Sequence, residues 1–511
     1  MLDFDSIPHI HEIQDLHGQF QDPGVKTRTD TFVERMHSHN KIRPSLEDAI
    51  ARSGLRDGMT ISFHHHFRNG DHVVNMVVDT LARMGFKNLT LAASSLASVH
   101  APLIQHIKNG VITHIETSGM RGELAEAVSR GLMDFPVVFR SHGGRAAAIC
   151  SHELPIDVAF LGASSCDPYG NANGYKREGE GDHSRCGSLG YARPDCRHAR
   201  HKIIITDSIV PFPNAPFAIP ASFVDSIVKV DSIGDEGGIM SGATRYTKNP
   251  KELLIAKMAA DVIEQSGYFY DGFSMQMGSG GASLATARFL REKMEAQNIK
   301  ARFALGGITG QIVEMHEAGL ISRILDVQSF DLMAADSLKN NRFHQQIDAN
   351  YYASFFNEGA AVNELDFVVL SALEIDVNFN VNVLTGSDGV IRGAIGGHPD
   401  TAQGASLSVV VAPLTRGRIP TVVDRVQTIV TPGSTVDVLV TDQGAAVNPN
   451  RPELREKLVK AGLPIYDIQE LQQRCQRIVG TPAPIRYKDR VVGVVLFRDN
   501  SLIDVIRQVD D

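Results

Sequence analysis

The sequence is short of several things, and each shortage narrows what the chain can be. Cysteine is scarce: there are five in 511 residues (Cys150, Cys166, Cys186, Cys196 and Cys475), an odd number that does not form a disulfide framework and fits free thiols in a reducing compartment. No apolar run approaches the roughly 18 residues of a membrane span. The opening MLDFDSIPHIHEIQDLHGQF also lacks the charged-then-apolar order of a secretory leader, so a cytoplasmic protein with no membrane partner is expected. Charge of one sign is not gathered anywhere. The net −9 is spread along the chain, which argues against nucleic acid as a partner. Close C-x2-4-C pairing is missing too: Cys186, Cys196, His198 and His201 fall in C-x9-C-x-H-x2-H, so no metal is expected, and GYKREGEGDHSRCGSLGYARPDC reads as a mobile polar loop.

What is present is enough apolar material, 43% of 511 residues, for two domains. After a polar arm over 1–45, SLEDAIARSGL has helical spacing with Ser45 as N-cap and Glu47 and Asp48 in the first turn. Strands are expected at MTISFH, NLTLAAS, VITHIETS, IDVAFLGA, KIIITDS and DSIVKV, with helices at VVNMVVDTLARMG and LIQHIKNG. The short, fully apolar strands are those of a parallel sheet, and the fold class is α/β.

The second half repeats the first. Asp57-Gly58 opens a strand, loop and helix, and Asp271-Gly272 does the same. IDVAFLGASSCDPYGNANG (156–174) aligns without a gap on LDFVVLSALEIDVNFNVNV (365–383), matching Asp157 to Asp366, Asp167 to Asp376, Asn171 to Asn380 and Asn173 to Asn382. Two copies of one unit follow, over 46–255 and 256–511, since the period is too long for a solenoid. The register isolates one acid: Glu374 stands where the first copy has Ser165, in a segment whose Asp and Asn framework is otherwise shared. A carboxylate serving only the turn would be expected in both copies, so Glu374 is assigned to chemistry.

Two glycine loops indicate which chemistry. QMGSGGAS (276–283) leaves a strand and enters a helix, so the N–H groups around Gly278, Ser279, Gly280 and Gly281 are free for an anion or a developing oxyanion. GAIGGHPD (393–400) supplies a second Gly-Gly turn at Gly396 and Gly397. Neither loop is G-x-G-x-x-G with a ribose-binding acid, nor G-x4-G-K-[ST]. A carboxylate beside two backbone oxyanion sites suits acyl transfer.

SALEID, GG-x-x-D and V-T-D-x-G-x-A-V resemble the catalytic half of acyl-CoA transferases and acetyl-CoA hydrolases of the NagB/RpiA/CoA-transferase fold. SGLRDGMTISFHHHFRNGD, GFKNLTLAASSL, GNANGY, CGSLGYA, GATRYTKNPKELLIAKMAADVI and SALEIDVNFNVNVLTGSDGVIRGAIGGH resemble one branch more closely, the citrate lyase alpha chain family, from about residue 45 onward. Two departures are the REGEGDHSR stretch (177–185) and the N-terminal arm.

The resemblance implies two duplicated CoA-transferase-like domains and transfer of an acyl-carrier-protein thiol from acetate to citrate. It also implies CoA thioesters as alternative substrates, carrier (gamma) and beta subunits as partners, assembly as a homo-oligomer, and no covalently bound cofactor. In related CoA-transferases the glutamate matching Glu374 attacks the thioester and carries the thiol. Citrate lyase alpha chains are grouped instead with enzymes in which the incoming carboxylate attacks directly. Sequence leaves the two open.

A tricarboxylate needs cationic or N–H partners for its spare carboxylates. His65 and Arg68 stand in HHHFR, where the second copy has GSGGA; Arg392 and His398 flank the GAIGG turn, Arg416 and Arg418 follow, and Asn380 and Asn382 complete the candidates. A CoA-ester hydrolase would use the same glutamate and glycines with water as acceptor. A non-catalytic scaffold would explain the duplication but not why only one copy has Glu374.

Overall fold

The computed structural model describes residues 3–12, 21, 22, 24, 41–176, 185–240 and 247–510. Residues 1–40 form a unit of their own, of which two single-turn helices, Phe4–Ser6 and Ile10–Glu12, are described. Most of the expected arm, residues 177–184 of the REGEGDHSR stretch and residues 241–246 lie outside the described residues.

Within residues 41–511 the duplication is a repeated parallel sheet. In the first copy β1 (Thr60–Phe63), β2 (Leu89–Ala93), β3 (Ile112–Thr117), β4 (Val137–Phe139), β5 (Val158–Ala163), β6 (His201–Thr206) and β7 (Ser226–Lys229) lie in the order β4-β3-β2-β1-β5-β6-β7. In the second, β8 (Phe273–Met277), β9 (Ala301–Ile308), β10 (Ile324–Ser329), β11 (His344–Gln346), β12 (Phe367–Ser371), β13 (Leu407–Val411) and β14 (Val438–Thr441) lie in the order β11-β10-β9-β8-β12-β13-β14. The two orders match strand for strand. Strands such as β5, whose six residues are all buried, are apolar throughout because helices cover both faces.

The aspartates that revealed the repeat have the same tasks in both copies. Asp157 accepts from Thr60 N at 2.9 Å, as Asp366 does from Ser274 N at 2.8 Å. Asp57 accepts from Lys87 N, and Asp271 from Lys300 N. After β5 and β12 the chain makes the same tight turn. Asp167 accepts from Asn171 N and Asp376 from Asn380 N, while short antiparallel pairs set Ser165 opposite Asn173 and Glu374 opposite Asn382.

Two boundaries are set by packing rather than by sequence order. Helix Pro250–Ser266, capped by the Asn249 side chain on Lys251 N, spans residue 255 and buries Ile255, Ala259 and Ile263 with Phe273 and Leu290 of the second copy. Hairpin β15 (Tyr487–Leu496) and β16 (Leu502–Val509) joins the first sheet, with β15 parallel to β4. The helix at 46–52 has its expected Ser45 cap, which accepts from Asp48 N at 3.2 Å.

The expected polar loop is corrected for residues 185–201. Cys186, Leu189 and Cys196 are buried, and residues 192–198 form a helix, because the apolar side chains of CGSLGYA fit beneath the sheets. Among the described residues no group of three His, Cys, Asp or Glu could hold a metal ion. No described helix is long and apolar enough to cross a membrane.

Candidate functional site

Loops at the carboxyl ends of strands from both sheets enclose one cavity of about 440 Å³, the place where parallel sheets present ligand-binding loops. From the first copy, His65 and Arg68 follow β1, Arg121 follows β3 and His142 follows β4; Tyr191 also lines it. From the second, Gly278 to Gly281 follow β8, Gln328 is the penultimate residue of β10, Leu370 to Leu373 leave β12, and Arg416 follows β13, joined by Gly396, Gly397 and His398. The copies are stitched beside the cavity by Met120 N to Gly393 O (3.0 Å) and Ile395 N to Ser118 O (2.7 Å). Gly119 sits in that seam, where a Cβ would fall 2.1 Å from the Ala394 Cβ, so the backbones could not approach with any other residue.

Both glycine loops line the cavity. Gly278 N–H donates to Val369 O at 2.7 Å and ties the first loop to β12. The 17-residue helix Gly281–Gln297 then begins with Gly280 as N-cap and no side-chain cap, which leaves its N-terminal field facing the cavity. A Cβ on Gly280 would fall 2.1 Å from Ser371 Oγ, and one on Gly397 2.5 Å from Tyr352 Oη, so close packing fixes both glycines. Gly396 has φ +58, which a glycine adopts without strain. Among the described residues neither Ser279 N–H nor Gly397 N–H has a protein acceptor.

Glu374, next in sequence to the lining residue Leu373, is buried and is not itself on the lining. Its Oε2 accepts from Asn382 Nδ2 at 3.0 Å and from Gln427 N at 3.1 Å. Burial pushes its carboxyl above the usual range, opposed by those two donors and by the charge of Arg416. Arg416 lines the cavity and donates to Ala372 O; besides Glu374 it feels Glu252, a lining carboxylate close to Gly281.

The histidines are held neutral. His65 Nε2 donates to the Gln328 amide oxygen at 2.8 Å, since the Gln328 amide nitrogen is used on His65 O; burial pulls its pKa well down. His398 Nε2 donates to Ser371 O at 3.0 Å and its Nδ1 meets Thr431 Oγ1 at 2.7 Å, with burial lowering its pKa to about 4. His398 thus ties the end of β12, through Nε2, to Thr431, through Nδ1.

The cavity brings together Gly278, Ser279, Gly280, Gly281, Gly396, Gly397, His398, His65, Arg68 and Arg416, and its lining leaves out Glu374, Asn380, Asn382, Arg392 and Arg418. Asn380 is used in its turn, donating to Asp376 and accepting from Gly433 N. Asn382 holds Glu374 and Thr385. Arg392 is half exposed and paired with Asp388 four residues earlier, a local pairing that the glycine turn beside it does not reveal. Sequence reasoning missed Arg121, His142, Tyr191 and Glu252, which reach the site from separate elements; the match of HHHFR to GSGGA gave two strand ends, and extending it to the other strands would have exposed Arg121 after β3.

A cleft between two parallel α/β copies, walled by glycine loops at strand ends, is CoA-transferase-like architecture. At 15% identity the likeness of the malonate decarboxylase alpha subunit from Acinetobacter baumannii (TM-score 0.64, covering 89% of this chain and 86% of that one) is one of fold alone. A family model described as citrate lyase, alpha subunit (CitF) matches residues 39–509. The citrate lyase alpha chain of Escherichia coli (strain K12) is 59% identical over 481 residues, 94% of this chain and 93% of that one. That of Haemophilus influenzae is 57% identical over 479 residues, 94% and 95% of the two chains. A crystal structure described as the alpha subunit of citrate lyase in complex with citrate, from Streptococcus mutans, is 55% identical with a TM-score of 0.90 and covers 95% and 93%. The chain belongs to the citrate lyase alpha subunit family.

Proposed function

We propose that the chain moves a carrier thiol from acetate to citrate, converting an acetyl thioester and citrate into a citryl thioester and acetate. The C–S bond of the acetyl thioester breaks, a C–S bond forms at a citrate carboxyl carbon, and the oxygen displaced from that carboxyl leaves with acetate. The thiol belongs to coenzyme A or to the CoA-like group of an acyl carrier protein, so no resident cofactor is required. A carrier (gamma) subunit, a beta subunit and further copies of this chain are the proposed partners. The observation that carries the reading is the meeting, in one cavity, of two free backbone N–H groups, at Ser279 and Gly397, with the guanidinium groups of Arg68, Arg121 and Arg416. Peptide N–H groups suit the tetrahedral oxyanion, and guanidinium groups suit the carboxylates.

The absence of Glu374 from the lining, with Oε2 already held twice, supports direct attack by a bound carboxylate on the thioester. In that scheme Glu374 positions Arg416 and keeps a counter-charge beside the incoming anion. Incubating the purified chain with acetyl-CoA or acetylated carrier and citrate, and weighing the carrier by mass spectrometry, tests the function. Conversion of the acetyl to the citryl adduct is expected. Free thiol formed with water as the only acceptor would mark a hydrolase, and an unchanged acetyl adduct would mark a scaffold.

A further inference from the structure

The first copy lacks the glutamate but lends the cavity most of its uncompensated positive charge. Arg68 lies just past β1 with φ +55, an uncommon conformation for a side chain of this size, which sets its guanidinium over the Phe330 ring at 4.8 Å. Among the described residues the guanidinium makes one hydrogen bond, a long one of 3.4 Å to Ile239 O. Arg121 precedes the helix Gly122–Ser129 after β3. Both line the cavity, and among the described residues neither forms an ion pair, whereas Arg416 has Glu374 and Glu252 nearby. Burial and the neighbouring charge of Arg121 lower Arg68 to about 10. Two guanidinium groups that repel each other inside a partly enclosed cavity are unfavourable until anions join them. The same cavity is lined by a stack of His65, His142 and Tyr191, with ring centroids 4.3–5.5 Å apart. His142 Nδ1 is buried without a partner. A neutral aromatic wall offers no competing carboxylate.

We propose that Arg68 and Arg121 together hold the two carboxylates of a tricarboxylate acceptor that do not react, leaving the third between the Ser279 and Gly397 loops beside Arg416. The inference rests on the transfer reading for the acceptor's identity. It assigns selectivity for citrate over acetate to the first copy and bond-making to the second. Acetate, with one carboxylate, fills only the reacting end.

The test uses the full chain with Arg68→Gln, Arg121→Gln and Arg121→Lys. Citrate-dependent transfer is compared with exchange of labelled acetate into the acetyl thioester, and citrate binding is measured separately by calorimetry. Each Gln variant is expected to raise the KM for citrate, and to lower the citrate-to-acetate preference, by about tenfold or more, because a charge-assisted contact is lost. Arg121→Lys should recover part of the loss, since it restores the charge without the fork. Unchanged preference, or equal losses for citrate and acetate, would overturn the assignment. If the unmodified chain binds citrate without transferring the thiol, and the Gln variants weaken that binding at least tenfold, the transfer reading fails and this assignment stands. If the unmodified chain binds no citrate, the assignment fails.

Discussion

Asn382 donates to Glu374 across a two-residue antiparallel pair, at the same place where Asn173 stands opposite Ser165 in the first copy. The asparagine is common to both; its partner is not. In the first copy Asn173 turns to Asn214 and Pro216, and Ser165 donates to Tyr175 O at 2.7 Å. One scaffold has been fitted with a buried acid in one copy and a neutral hydroxyl in the other.

Glu374→Gln keeps the shape and can still accept from Asn382 and Gln427 N, but it removes the charge that Arg416 senses. Transfer is expected to fall by about a hundredfold or more with the fold intact, read as kcat with thermal unfolding as control. Trapping with hydroxylamine or borohydride during turnover should leave Glu374 unmodified. A covalent adduct there would replace positioning by nucleophilic attack. Ser165→Ala should leave transfer near normal and cost about 1–2 kcal/mol in stability, from the hydrogen bonds its hydroxyl donates to Tyr175 O and accepts from Asn214 Nδ2.

At Gly397 a methyl group would lie 2.5 Å from Tyr352 Oη. Gly397→Ala should therefore lose most transfer, and adding Tyr352→Phe should restore part of it by removing the obstructing oxygen. Ser279→Ala, which keeps its main-chain N–H, should retain most activity. Severe loss in Ser279→Ala with a normal melting curve would give the hydroxyl a role of its own.

His398 is neutral in the fold, with its pKa lowered from 6.5 to about 4 by burial. The unfolded chain binds that proton below about 6.5 and the folded chain only below about 4, so this group's contribution to stability rises with pH between those values and is level above them. Asp400, raised to about 6 by burial, works the other way, its contribution falling as pH rises from about 4 to 6. Denaturant midpoints at pH 5 and pH 7 should differ less in His398→Gln than in the unmodified chain. An identical difference would show that His398 is not the titrating group.

Hairpin 487–509 buries Val492, Val495 and Ile506 in one core with Leu384, Ile391 and Val430 of the second copy. Val495→Ala should lower stability by about 2 kcal/mol, read as a shift of the unfolding midpoint. Because no residue of the hairpin lines the cavity, KM should move little. A large rise in KM at unchanged stability would contradict its role as a clasp.

The repeat was legible because its markers are local. Asp157 and Asp366 each cap a neighbouring strand, and a backbone N–H can only be satisfied by an acceptor at that register. Glu374 stood out against this shared frame. Arg121 and His142 were not legible, because each enters the cavity from its own strand end and only the sheet order makes them neighbours. Asn380 and Arg392 misled for the converse reason: polar residues beside glycine turns resemble ligands until their local partners, Asp376 and Asp388, are seen. That β15 would pair with β4 depends on which edge remains open, a property of the finished sheet.

The pairing of β15 with β4 also orders events in time. Arg490 binds Met133 O across 357 residues of sequence, which at ribosomal speed is a delay of tens of seconds. Throughout that interval the β4 edge has unpaired backbone groups, the kind of surface on which another nascent chain or a chaperone can settle. Heat-shock dependence of yield during expression, rather than the melting temperature of the finished protein, would be the observable on which this late closure leaves its mark.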